Sequence, residues 1–175
     1  MDARIIERAK KIKLLITDVD GILTDGRIVY GNYGDELKFF DVQDGLGLAL
    51  LKRADIKVAI ITAKKSKVVK MRARELGISA LYQNCRDKLK VFNKLVKKYR
   101  ITPEEVCFIG DDLIDISPLK RAGLAVSVPN AVEEARSSAH LITTRKGGRG
   151  AVREVCDLIL KSSGKWEAVT GKYFK

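Results

Sequence analysis

The chain has 175 residues, 46% of them hydrophobic, with only 14 Gly and 3 Pro. That is enough length for one ordinary domain, and it excludes a disordered tail, a collagen-like repeat or a low-complexity linker. Thirty-four Lys and Arg against 22 Asp and Glu leave +12, which suits anionic partners without choosing among nucleic acid, an acidic membrane face and a small phosphorylated acid.

Met1-Asp2-Ala3-Arg4 opens with an acid where a secretory signal carries only base. No apolar run approaches the length of a bilayer span, so the expected location is cytoplasmic. Residues 13–17 (KLLIT) read as a strand buried on both faces, as do 57–62 (KVAIIT), 106–110 (VCFIG) and 124–127 (LAVS). Directly after the first, residues 27–40 read as a hairpin, two strands around Gly31-Asn32-Tyr33-Gly34. Helical spacing follows over 45–53, 66–76, 87–99 and 113–122, and one more short strand fits between Thr62 and Lys88. Thr102-Pro103-Glu104-Glu105 reads either as a capping box that opens a helix or as a single capped turn. Residues 164–175 break helical periodicity and carry Trp166, Tyr173 and Phe174, a tail in need of a surface. Strand–helix alternation with short connections predicts an α/β fold, a doubly wound parallel sheet in one domain over 1–175.

Cys85, Cys107 and Cys156 stand at no metal-ligand spacing, and His140 is the single histidine, so a zinc site is not expected. Cys107 and Cys156 lie in apolar runs and read as small core residues. Ser-His-Asp and Cys-His catalysis are excluded unless His140 itself is the base.

The acids carry more information. Asp18 and Asp20 follow LLIT directly, Asp111, Asp112 and Asp115 follow VCFIG, and Thr62 ends KVAIIT. In an open parallel sheet the crevice at the carboxyl ends of the strands is the binding site. Asp18 and Asp111 together call for a hard cation, and oxygen-only ligands suit Mg²⁺. For both to share one ion, with Thr62 in reach, the Asp18 strand must lie centrally between the other two. An Asp18 oxygen at a strand end can attack phosphorus in line, and Asp20 can move a proton at the leaving oxygen if the surrounding acids raise its pKa.

Asp18-Val19-Asp20-Gly21-Ile22-Leu23-Thr24-Asp25, Thr62, Lys88 and Gly110-Asp111-Asp112-x-x-Asp115 resemble the four motifs of haloacid dehalogenase (HAD) superfamily phosphatases. The longer runs, ITDVDGILTDG, Phe39-Phe40-Asp41-Val42-Gln43-Asp44-Gly45, KVVKMRARELGI and Gly147-Gly148-Arg149-Gly150-Ala151-Val152-Arg153-Glu154, resemble the 3-deoxy-D-manno-octulosonate 8-phosphate (KDO 8-phosphate) phosphatase family. The resemblance covers residues from about 12 to 160.

It implies a HAD-like Rossmannoid sheet of order 5-4-1-2-3, with the hairpin inserted after the first strand. Asp18 is implied as nucleophile and Asp20 as acid and base, with Mg²⁺ held by Asp18, the Asp20 carbonyl and Asp111. A phosphate dianion with Asp18 and Asp111 exceeds the charge of Mg²⁺, so a further cation is required, and Lys88 is the family's candidate. Thr62 would bind a phosphoryl oxygen, Asp115 would orient Lys88, and Asp112 would hold a metal-bound water. The activity implied is a Mg²⁺-dependent phosphomonoesterase in lipopolysaccharide synthesis, acting on a small sugar acid phosphate. Ala63-Lys64-Lys65 stand where the family has Gly-Arg after its Thr. Lys64, Lys65 or Lys67 could still supply a point charge for the substrate carboxylate, and KDO 8-phosphate and KDN 9-phosphate both stay open.

The spacing from Asp20 to Thr62 and from Thr62 to Lys88 leaves no room for a cap domain. The hairpin and the aromatic tail are the available covers, and the resemblance implies a homotetramer whose neighbours complete each pocket. Ile28, Tyr30, Phe39 and Phe40 would suit burial there. No membrane and no nucleic-acid partner is expected, because cations run through all the helices and aromatics are only 6%. A HAD-like protein that has lost catalysis is also disfavoured, since every catalytic side-chain type is present.

Overall fold

The computed structural model describes residues 2–174; Met1 and Lys175, the ends of the unit read above, lie outside them. In chain order the strands are β1 (Leu14–Thr17), β2 (Val29–Tyr30), β3 (Glu36–Leu37), β4 (Lys57–Ile61), β5 (Ala80–Tyr82), β6 (Val106–Ile109), β7 (Leu124–Ser127) and β8 (Leu141–Ile142). The α-helices are α1 (Ala3–Lys10), α2 (Val42–Arg53), α3 (Lys67–Glu75), α4 (Lys88–Tyr99), α5 (Ile116–Arg121), α6 (Glu133–Ser137), α7 (Ala151–Ser162) and α8 (Trp166–Thr170).

β1, β6 and β7 are apolar runs buried along their whole length, because helices cover both faces of the sheet. The sheet is parallel throughout, in the order β5-β4-β1-β6-β7-β8. Read from the other edge, this is the expected order with β8 added outside. Val69 and Ala73 of α3 join α1, α2 and α7 in the core on one face, whereas Phe92 and Leu95 of α4 join α5 and α6 on the other. Each such fully buried Leu, Ile or Phe contributes about 1.5–3 kcal/mol.

The hairpin forms with shorter strands than its apolar pattern suggests, Val29 opposite Leu37 and Tyr30 opposite Glu36. α2 starts three residues before the periodic run, because the Asp41 carboxylate accepts from the Gln43 N–H at 2.6 Å and caps it. Pro103–Glu105 is one 3₁₀ turn closed by a capping box, so it is a capped turn and not a longer helix. The stretch 113–122 divides into a 3₁₀ turn, Leu113–Asp115, and α5. The tail does not run irregularly: it folds as α8 and a 3₁₀ turn, Gly171–Phe174, with Trp166 packed on the core. Arg53 at the end of α2 donates to the Tyr173 hydroxyl at 2.8 Å, and Lys165 to the Ala54 carbonyl at 2.9 Å. The tail therefore lies where α2 ends, not over the carboxyl edge of its own sheet, and only the hairpin remains as a cover supplied by the same chain. Among the described residues no helix is long and apolar enough to cross a membrane.

Candidate active site

β1 lies between β4 and β6, with Thr17 in register with Ile60 and Ile109. The residues that follow these three strands therefore emerge together: Asp18, Thr62 and Asp111. The Asp18 N–H continues the ladder to the Ile109 carbonyl at 3.0 Å, and Asp18 is only 5% exposed. Asp18, Asp111 and Asp115 each bring a carboxylate oxygen within 4.8 Å of the others.

Lys88 is the first residue of α4, and Asp87 caps that helix by accepting from the Lys90 N–H at 2.9 Å. The buried Lys88 ammonium lies 3.0 Å from Asp18 Oδ2 and 2.6 Å from Asp115 Oδ1. Asp115 Oδ2 accepts the N–H groups of Asp111 at 3.1 Å and Asp112 at 3.3 Å. Asp115 thus ties Lys88 and the loop after β6 to one another. Burial drives the Lys88 pKa down, but the negative charges of Asp18 and Asp115 outweigh it, and the net shift is upward.

Burial pushes Asp18 up to about 7 against the opposing pull of Lys88, and the Asp115 charge adds to the rise. Asp111 is pushed up to about 8 by burial and then by the charges of Asp18 and Asp115. Asp111 Oδ1 is buried with no hydrogen-bond partner among the described residues. Three carboxylates against one ammonium leave the cluster short of positive charge.

Gly21 and Gly147 make the pocket possible. A Cβ on Gly21, whose φ is +88°, would lie 1.9 Å from Asp111 Oδ2, and one on Gly147 would lie 1.7 Å from the Gly21 carbonyl oxygen. Asn130 locks this approach, donating to the Gly21 carbonyl at 3.1 Å and accepting from the Gly147 N–H at 2.8 Å.

Other expected residues fall less evenly. Thr62 is buried at the end of β4, its hydroxyl oxygen accepting from the Lys64 N–H at 3.3 Å. Asp112 is exposed and accepts from the Leu113 N–H at 2.7 Å, capping the turn. Lys64, Lys65 and Lys67 are all exposed. Of these, Lys64 acts on the site through its charge on Glu36, whereas Lys65 lines a groove beside β5. His140 accepts the Ala125 N–H from within β7 at 2.9 Å, which makes it a strand fastener and removes it as a base.

Asp20, expected among acids, meets a cation. The Lys38 ammonium donates to Asp20 Oδ1 and reaches Glu36 Oε1 at 3.0 Å, with its side chain only 1% exposed. Ser66, the cap of α3, donates to Glu36 Oε2 at 2.6 Å. Partial burial pushes Glu36 upward, but the Ser66 hydroxyl and the Lys38 ammonium hold it below its usual range. Sequence reasoning missed Lys38, Glu36 and Asn130. Glu36 and Lys38 carry no local signal, because charged residues of a short hairpin look solvated, and Asn130 lies in a turn far along the chain from Gly21.

The haloacid dehalogenase-like hydrolase family matches residues 33–123. The chain is 50% identical to the 3-deoxy-D-manno-octulosonate 8-phosphate phosphatase of Yersinia pestis over 167 residues, 95% of this chain and 89% of that one. It is 47% identical to the enzyme of that name from Escherichia coli K12, over 98% and 92%. The Moraxella catarrhalis phosphatase, solved with magnesium, phosphate and KDO, superposes with a TM-score of 0.96 at 47% identity, covering 99% of each chain. The chain belongs to the KDO 8-phosphate phosphatase family of haloacid dehalogenase-like hydrolases. Mg²⁺ fits the residues present: an all-oxygen donor set, an orphaned buried carboxylate oxygen on Asp111 and a charge deficit that a divalent ion would cancel.

Proposed function

We propose that this chain is a Mg²⁺-dependent phosphomonoesterase that releases phosphate from KDO 8-phosphate through an aspartyl-phosphate. The observation that carries the reading is the meeting of Asp18 and Asp111 beside Lys88, with an Asp111 oxygen left unpartnered. Asp18, Asp111 and the Asp20 carbonyl would hold Mg²⁺, which when bound neutralises phosphoryl oxygens and the clustered acids.

An Asp18 oxygen attacks phosphorus in line, forming an O–P bond as the bond to the sugar oxygen breaks. Asp20, paired in this structure with the Lys38 ammonium, takes up a proton as substrate enters and gives it to that departing oxygen. It then takes a proton from water, whose oxygen attacks phosphorus and frees the Asp18 carboxylate. Lys88 pulls the buried nucleophile toward its ionised form and balances a phosphoryl oxygen, while Asp115 holds Lys88. Thr62 donates to a second phosphoryl oxygen. Lys38 holds the Asp20 carboxylate toward the leaving group. Asp112 orders water near the ion, and Lys64 supplies a point charge for the sugar carboxylate, with Lys65 and Lys67 further candidates.

The relatives named above, one with KDO bound, favour the eight-carbon substrate over KDN 9-phosphate. A substrate of that kind implies a part in lipopolysaccharide synthesis, and the free, buried Cys85, Cys107 and Cys156 support a reducing, cytoplasmic setting. Ile28, Tyr30 and Phe39 are exposed on the hairpin and support burial against other copies in a homotetramer, whereas Phe40 packs on the core of its own chain. Such an assembly elutes well above 19.5 kDa, and an active monomer would remove the shared pocket. The direct test is phosphate release from a panel of sugar phosphates with and without Mg²⁺. Asp18→Asn should lower kcat by about a thousandfold or more. Equal release by both proteins would refute the nucleophile.

A further inference from the structure

The +12 charge is not spread evenly along the chain. Residues 64–100 hold thirteen of the 34 Lys and Arg but only two of the 22 acids, Glu75 and Asp87, so this segment carries +11 and the rest of the chain +1. Eleven of the thirteen are exposed and form no salt bridge among the described residues; the exceptions are Lys88, inside the site, and Arg72, paired with Glu75 at 2.9 Å. The other acid, Asp87, is committed as the cap of α4.

The segment is α3, β5 and α4, one edge of the sheet with a helix on either face. Helical spacing sorts its cations into two rows. Lys67, Lys70 and Arg74 run along α3, and Lys90, Lys94 and Lys97 along α4. Lys70 and Arg74 reach toward the edge strand, where with Lys65, Ser79, Gln83 and Asn84 they line a groove of about 780 Å³. Lys94 reaches the strand from the other side, its ammonium 5.3 Å from the centre of the Tyr82 ring. Unpaired like charges at this density repel one another, and a line of phosphates would relieve the repulsion.

We propose that this edge binds single-stranded nucleic acid through its phosphodiester backbone. The groove is concave, which a flat bilayer cannot enter, and Met71 is the one large hydrophobic exposed anywhere in residues 64–100. Amide and hydroxyl side chains beside the cations offer further hydrogen bonds to phosphate and sugar oxygens, contacts that carry no sequence information. The proposal does not depend on the phosphatase reading.

The test is fluorescence anisotropy of a labelled, mixed-sequence 20-mer lacking terminal phosphates, with the full chain. Six phosphate contacts predict a loss of affinity of about a hundredfold or more between 50 and 200 mM salt. Combining Lys70→Gln, Arg74→Gln, Lys94→Gln and Lys97→Gln should weaken binding at least tenfold while sugar-phosphate hydrolysis is retained. Removing four cations elsewhere, with Lys10→Gln, Lys11→Gln, Lys120→Gln and Lys172→Gln, should leave binding within twofold. If the first variant also loses hydrolysis, the α3 pair and the α4 pair are each tested alone, with at least a threefold loss expected. Absence of binding at 50 mM salt, equal losses in the two fourfold variants, tighter binding to a duplex, or tighter binding to phosphatidylserine vesicles than to the oligonucleotide would each overturn the proposal.

Discussion

Asp44 and the Asp18–Asp111 pair are carboxylates that burial pushes in the same direction, to about 6, about 7 and about 8, yet they sit in different company. α7 begins at Gly150, which has no side chain to cap it, and Asp44 reaches across from α2 to accept the Arg153 N–H at 2.7 Å. Its neighbours there are backbone N–H groups at a helix start, fixed partial charges that need no mobile counter-ion. Asp18 instead shares the Lys88 ammonium with Asp115, and its charge raises Asp111. One buried oxygen of Asp44 and one of Asp111 both lack a hydrogen-bond partner among the described residues, but that of Asp111 belongs to the acid cluster around the nucleophile. Burial of an acid is therefore not in itself a sign of chemistry. What separates the two regions is whether the compensating charge is built into the backbone or has to arrive from solution.

Lys88→Met attacks the active-site member of the pair. It leaves Asp18 and Asp115 buried without their cation, and should cost about 3–5 kcal/mol of unfolding free energy in EDTA, read by urea titration, along with nearly all turnover. Asp18 and Asp111 are raised above 3.8 in the fold, so between about pH 4 and pH 8 the native chain holds more protons than the unfolded one, and metal-free stability falls as pH rises. Mg²⁺ at a hundred times its dissociation constant should restore about 2.7 kcal/mol at pH 8 and less at pH 5, where protons compete for the same oxygens. An equal gain at both pH values would detach the ion from these carboxylates.

Asp44 adds a pH dependence of its own that saturating Mg²⁺ leaves in place, and comparison with Asp44→Asn isolates it. Its raised value means the native chain loses stability between about pH 4 and pH 6, and Asp44→Asn has no such term. The advantage of the native chain over Asp44→Asn should shrink by about 2 kcal/mol across that window, with kcat unchanged. A fall in kcat with unchanged stability would move Asp44 into the site. Lys38→Met should do the reverse, lowering kcat by about tenfold through a misdirected Asp20 while the melting temperature stays close to native.

How much of this was readable along the chain depended on the distance over which each signal acts. The buried strands, the hairpin and the helices over 66–76 and 87–99 are local patterns, and they appear close to where periodicity and side-chain type put them. The acids at strand ends were equally legible, since a buried run that stops at Asp can place that Asp only at the sheet's edge. Lys38 was not, because a lysine in a short hairpin looks solvated until the hairpin folds over Asp20. The α8 tail was misread because its few apolar residues answer to α2 and α7, not to a period of their own.

Residue order alone settled which groups could do chemistry here: it put Asp18, Thr62 and Asp111 one or two residues past buried strands, and at that range backbone geometry leaves little freedom. Whether those groups met was settled in three dimensions, by the placing of β1 between β4 and β6 and by the close approach of Gly147 to Gly21. The same holds for the partners of Asp20 and the cap on α7. Each joins parts of the chain that no local rule relates, so only the packing of the whole sheet could bring them together.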